Sequence, residues 1–220
     1  SIGIKPTGSK DPFALRRASL GIIRIIIENR LKLNLYDLIS LSMHKFDKDD
    51  LLSFFKERVV HYLADLGYEK SVILSVVYAD NLKSLYFFPT LVEKIENYIK
   101  SPHGGQILAM NKRASNILNG FTENISNINK TANEVGTKED FELMEALRKT
   151  EKEIENGLIN EDFDQIIKGV SMLIVPLNNF FENVQINCQN QDLRLNRYKF
   201  LFDLQSVLKT VCIFSHIEVK

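Results

Sequence analysis

The residues best suited to chemistry stand near the start, in the stretch Lys5-Pro6-Thr7-Gly8-Ser9-Lys10-Asp11-Pro12-Phe13-Ala14-Leu15-Arg16-Arg17. Asp11 can accept from the free N–H groups of a first helical turn, and Pro12 lacks only an N–H that a helix start leaves unused. A helix is therefore predicted from Pro12. Lys5, Lys10, Arg16 and Arg17 form a basic turn at the positive end of that helix, a place for an anion or an interface. Gly3 to Lys10 also has the glycine spacing of a P-loop, but Ser9 precedes Lys10 where a P-loop needs Lys directly after its second glycine. Nucleotide hydrolysis is set aside on that order.

Little else has a catalytic pattern. His44, His61, His103 and His216 stand apart from one another, and Cys188 and Cys212 have no metal-ligand spacing with each other or with His. No metal site and no catalytic residue is expected. Two cysteines are too few for a disulfide framework, which points to reduced thiols and a cytoplasmic setting.

The elements that must position these groups are helical. The chain has 220 residues, 45% of them apolar, enough to bury one or two cores. Its longest apolar run, Ile22 to Ile27, is interrupted by Arg24 and is too short to cross a bilayer. No membrane partner is expected. Basic and acidic residues balance at 28 each, yet the first thirty positions and the last helix are basic while Lys138 to Lys168 is acidic. That unevenness permits local contact with RNA in a chain without net charge.

Periodicity predicts a first helix from Pro12 to about Arg30, apolar around most of its circumference and hence central and buried. Arg17, Gly21, Arg24 and Glu28 share one polar face of it. Further helices are predicted over Leu35 to Met43, Asp50 to Leu66 with Asp47 or Asp49 as cap and Gly67 as stop, Glu69 to Tyr78, and Pro89 to Lys100. Ser101-Pro102-His103-Gly104-Gly105 has the strongest turn composition, so two domains are expected, 1–102 and 103–220. A helix from about Gln106 to Phe121 opens the second, and the polar stretch Thr122 to Gly136 reads as a long loop. Thr137 and Asp140 form a capping-box pattern for a helix to Asn156. Asn160 is expected to cap the next helix, Pro176 to break or kink it, and Asp192 to open a last helix through about Phe214. No hairpin or repeat is apparent, and the fold class is all-α.

The Lys5 to Arg17 string resembles a signature of the β subunit of bacterial two-subunit glycyl-tRNA synthetase. Two further segments resemble the same family in the same order: Asn111-Lys112-Arg113-Ala114-Ser115-Asn116-Ile117-Leu118, and Phe180 to Val184 followed by Leu193-Arg194-Leu195-Asn196-Arg197. The resemblance spans nearly the whole chain and implies a C-terminal portion of that subunit. It implies a helical domain that is the tail of an HD-like region, then an anticodon-binding helical bundle similar to that of arginyl-tRNA synthetase. No His-Asp doublet of HD metal chemistry occurs here. The implied partners are glycine tRNA and an α subunit that activates glycine, two α and two β chains in the family. ATP and magnesium would serve the whole enzyme, with no cofactor in this portion.

Glycine anticodons share two cytosines, and reading an unstacked cytosine needs donors for O2 and N3, an acceptor for the N4 amino group, and a plane to stack on. The matched segments hold candidates. Lys112, Arg113 and Asn116 occupy one helical turn, and Arg194, Arg197 and Tyr198 fall at i, i+3 and i+4 beside Asn196. On the RNA reading, Arg113 and Arg197 are phosphate or base donors, Asn116 and Asn196 base-edge readers, and Tyr198 a stacking surface. On the structural reading the same residues bridge helices and Tyr198 packs in the core. A helical adaptor without RNA and a degenerate HD-type phosphohydrolase are the alternatives from other classes.

Overall fold

A computed structural model of the chain describes residues 11, 14–41, 47–79, 85–121 and 136–217. All regular structure among them is helical. The chain divides into two compact units, one of Ser1–Glu96 with His216–Lys220 and one of Asn97–Ser215. The division falls inside a helix. Ser101–Gly105, for all its turn composition, is a helix start, with Ser101 as cap and Pro102 in the first turn.

The first unit contains α1 (Leu15–Glu28), α2 (Leu35–Ser40), α3 (Lys48–Asp65), α4 (Lys70–Val77), and a 3₁₀ turn at Leu85–Phe87 that leads into α5 (Phe88–Ile99). α1 packs on α3 and on the 3₁₀ turn, and α3 packs on α2 and α4. Ile23, Val59, Leu63, Val72, Ile73 and Leu85 are fully buried between them. The caps follow the sequence: Asn34 opens α2, Asp47 opens α3, and Gly67 takes the positive φ of 92° that follows α3.

Two expectations for α1 are corrected. The helix starts at Leu15 and not at Pro12, because Ala14 sits in the left-handed region at φ 53°. Asp11 still caps it from outside, accepting from Leu15 N–H at 2.8 Å and Arg16 N–H at 3.1 Å. Nor is α1 buried all round: Ile22 is 43% and Ile25 57% exposed, while Ser19, Ile23, Ile26 and Ile27 are buried. The elements packed on α1 cover a single stripe, and its isoleucines outnumber the positions on that stripe. On the polar face, Arg24 and Glu28 form an exposed ion pair at 3.0 Å.

The second unit contains α6 (Pro102–Asn119), α7 (Lys138–Asn160), α8 (Phe163–Ser171), α9 (Ile174–Asn183) and α10 (Gln191–Lys209). α7 packs on α8, α9 and α10, and α6 packs on α8, α9 and α10. Leu143, Ile154, Ile166, Leu177, Phe180 and Leu204 make its interior. Glycine lets the helices approach: a Cβ on Gly157 would meet Ile166 Cγ1 at 2.5 Å and Asp162 O at 2.8 Å.

Several helix ends differ from their predicted positions. α6 begins at Pro102 and not at Gln106, since Ser101 Oγ accepts from Gly104 N–H. α7 runs on to Asn160 and stops where Glu161 turns left-handed at φ 59°, so Asp162, not Asn160, caps α8. Asn190, not Asp192, caps α10, which ends at Lys209 and not near Phe214. Pro176 is the third residue of α9, where its missing N–H falls among those that a helix start leaves unpaired. α2 closes at Ser40; its predicted end at Met43 and the polar stretch 122–135 lie outside the described residues.

Candidate nucleic-acid interface

One end of the second unit is formed by the close of α6, the first turn of α7, the close of α9 and the first two turns of α10. Arg197, on α10, is at its centre and is buried. Its Nε donates to Asp140 Oδ1 at 3.0 Å, its Nη2 to Asp140 Oδ2 at 2.9 Å, and its Nη1 to the Gln185 carbonyl at 2.9 Å. Asp140 also completes the capping box of α7, accepting from Thr137 N–H at 2.8 Å. One guanidinium thus joins the start of α7 to the chain that leaves α9. The hydrogen bonds that Arg197 donates to Asp140 hold its pKa above the ordinary arginine value, against the opposing effect of burial.

The other two members of the i, i+3, i+4 group act on the same connection. Arg194 Nη1 donates to the Cys188 carbonyl at 3.1 Å, and Tyr198 donates its hydroxyl to Asn187 Oδ1 at 2.8 Å. The Tyr198 ring is buried and lies 4.2 Å, centroid to centroid, from Phe121 at the close of α6. The three side chains do converge, as their spacing predicts, but what they hold is the protein's own chain at residues 185–188.

The α6 candidates are placed differently. Lys112, Arg113 and Asn116 are exposed. Arg113 Nη2 donates at 3.1 Å to the Phe181 carbonyl, one of the last carbonyls of α9, and its guanidinium carbon is 4.6 Å from the Phe181 ring centroid. Asn196 on α10 is half-buried. In the first unit Arg16 is half-buried and Arg17 exposed on the first turn of α1, while Lys5 and Lys10 lie outside the described residues.

The α9–α10 connection escapes a reading by helix periodicity. Its signal is compositional: six of the nine residues from Asn183 to Gln191 are Asn or Gln. Such amides offer both donors and acceptors, and all six are exposed. Among the described residues no group of three or more His, Cys, Asp or Glu is arranged to hold a metal ion, and no helix is long and apolar enough to cross a membrane.

Comparison with known proteins divides along the same chain. A family model described as the glycyl-tRNA synthetase β subunit matches residues 1–78, and one described as the DALR anticodon binding domain matches residues 107–215. Glycine–tRNA ligase β subunits of Ruegeria sp. (strain TM1040) and Paracoccus denitrificans (strain Pd 1222) are 34% and 35% identical over 99% of this chain. The chain belongs to the glycyl-tRNA synthetase β-subunit family. The corresponding subunit of Rickettsia felis is 33% identical over 98% of it. This family member spans about a third, 32%, of the length of those relatives. The anticodon-binding match covers α6 to α10, the helices that build the end described above.

Proposed function

We propose that this chain is the tRNA-recognition part of a glycine–tRNA ligase β subunit, and that its second unit binds the anticodon arm of glycine tRNA. In this reading the chain itself catalyses nothing. An α subunit activates glycine with ATP and magnesium, in a cytoplasmic assembly of two α and two β chains. The observation that carries the proposal is the coincidence of the anticodon-binding match with an end of the second unit that is rigidly braced inside and amide-rich outside.

The bracing sorts the candidates by role. Arg197 and Arg194 have their guanidinium groups turned onto internal acceptors, and Tyr198 is buried, so these three position the surface. Arg113 also donates to an internal carbonyl but stays exposed, and with Lys112, Asn116 and Asn196 it makes up the contact set. Lys112 supplies charge to the phosphate backbone, Arg113 a guanidinium plane beside Phe181, and Asn116 and Asn196 polar contacts to base edges. The basic turn of Lys5, Lys10, Arg16 and Arg17 is a second contact, with the RNA backbone or with another part of the subunit.

The test is a salt series. Binding of the chain to glycine tRNA should weaken linearly on a log–log plot, and Lys112→Ala should reduce the slope by about one unit while weakening binding to all sequences alike. Binding that does not respond to salt, or a Lys112→Ala slope equal to the original, removes Lys112 from the interface.

A further inference from the structure

α1 carries two apolar rows, and the first unit covers one of them. Ser19, Ile23, Ile26 and Ile27 face inward and are buried. Leu15, Ala18, Ile22 and Ile25 form the other row, and all four are exposed, Ile22 by 43% and Ile25 by 57%. Their steps of three, four and three residues, at about 100° per residue, keep them within an arc of about 80° and a length of about 15 Å. The usual order of burial is inverted here. Ser19 is 3% exposed, its hydroxyl donated to the Arg16 carbonyl at 2.9 Å, while the larger and apolar Ile25 stands in water. Gly21 is one turn from both Ala18 and Ile25, and a Cβ on it would meet nothing within 4 Å, so this side of α1 is open.

We propose that the row is a helix-docking seam, and that its occupant is an apolar helix of the same β subunit, from the part of the subunit that has no counterpart in this chain. The spacing is that of residues at a seam between two helices. Four aliphatic side chains offer neither the charge nor the stacking planes that RNA contacts use. The row is also too small for a separate protein to hold by itself, since stable interfaces between free partners bury more than about 1,000 Å². A segment of the same polypeptide escapes that requirement, because the connecting chain keeps it at a high effective concentration. Such segments exist in the relatives. The β-subunit family model matches residues 1–78, which contain α1 to α4, and this chain spans 32% of the relatives' length. None of this uses the anticodon reading, so the failure of either leaves the other standing.

Thiol accessibility tests the seam. Ile25→Cys in this chain, and a cysteine at the matching position of the full-length Paracoccus denitrificans β subunit, are treated with a water-soluble maleimide, and labelling of the α1 peptide is followed by mass spectrometry. The same proteins in urea give the rate of an uncovered thiol. Ile22→Cys, at the neighbouring position of the row, repeats the comparison, and circular dichroism checks that each variant is folded. In this chain the introduced thiol should react within a few-fold of its rate in urea. In the full-length subunit, without its α partner, it should react about tenfold more slowly or less than that, because labelling then waits for the seam to open. Equal rates in the two proteins overturn the proposal. So does protection that appears only once the α subunit or tRNA is added, which makes that molecule the occupant. Protection already present in this chain overturns it too: the occupant is then a second copy if the chain sediments as a dimer, and the chain's own second unit if it sediments as a monomer.

Discussion

Arg197 grips Asp140 with two parallel hydrogen bonds, Nε to Oδ1 at 3.0 Å and Nη2 to Oδ2 at 2.9 Å, between residues 57 apart in the chain. Both side chains are buried, at 6% and 8% exposure. Removing either partner strands the other charge. Arg197→Ala and Asp140→Ala should each cost about 3–5 kcal/mol in urea unfolding, and the double variant clearly less than their sum. Additive losses would mean that the two residues act separately.

Gly104 and Gly105 are neighbours in the first turns of α6 with opposite surroundings. A Cβ on Gly104 would come within 2.1 Å of the Tyr98 carbonyl oxygen and 2.5 Å of Ile99 Cα, both backbone atoms, while a Cβ on Gly105 meets nothing within 4 Å. Gly104→Ala should destabilise by at least about 1–3 kcal/mol, because the chain before α6 has to move. Gly105→Ala should stabilise by about 0.5–1 kcal/mol through helix propensity. Equal thermal midpoints for the two variants would show that the close approach at Gly104 is not tight.

Tyr98 gives a handle on pH. Burial holds its hydroxyl pKa above the ordinary 10.0, while the hydrogen bond from Ser171 at 3.1 Å pulls the other way. A raised folded-state pKa means that the unfolded chain loses its proton first. The contribution is therefore complete below the ordinary value and is lost as pH rises through the folded one. Stability should fall as pH rises above 10.0, and Tyr98→Phe should shrink that fall, read from urea midpoints across alkaline pH. Tyr62 and Tyr68 are raised in the same direction, mainly by burial, so the single substitution removes part of the effect. An alkaline decline identical in Tyr98→Phe would assign it wholly to other groups.

Arg17 is exposed on the first turn of α1, where a carboxylate suits the helix dipole. Arg17→Glu should leave the thermal midpoint nearly unchanged and weaken binding to glycine tRNA, more at low salt than at high. Unchanged affinity together with unchanged stability would count against any interface role for the basic turn.

How much of this was legible depends on the kind of signal. Thr137 and Asp140 announce the start of α7 because a capping box is a local pattern, and it forms as read. Arg194, Arg197 and Tyr198 announce a joint site because helical spacing fixes their side. What they touch is settled by Asp140 and by the chain at 185–188, and no local pattern encodes such distant partners. The exposed Ile22 and Ile25 mark the same limit on α1: apolarity says that a residue is suited to burial, and only the neighbouring elements decide whether burial occurs. The bracing of the α9–α10 connection was missed because a connection has no period. Its amide-rich composition was the available sign, and it takes meaning only from the three braces of α10.

The central claim is that the second unit reads the anticodon of glycine tRNA. It is tested most directly by the affinity of this chain for glycine tRNA against the same tRNA with both anticodon cytosines replaced, at one physiological salt concentration. Binding should weaken at least tenfold on replacement, by about 1–3 kcal/mol for each base whose contacts are lost. Equal affinity for the two tRNAs would contradict the claim.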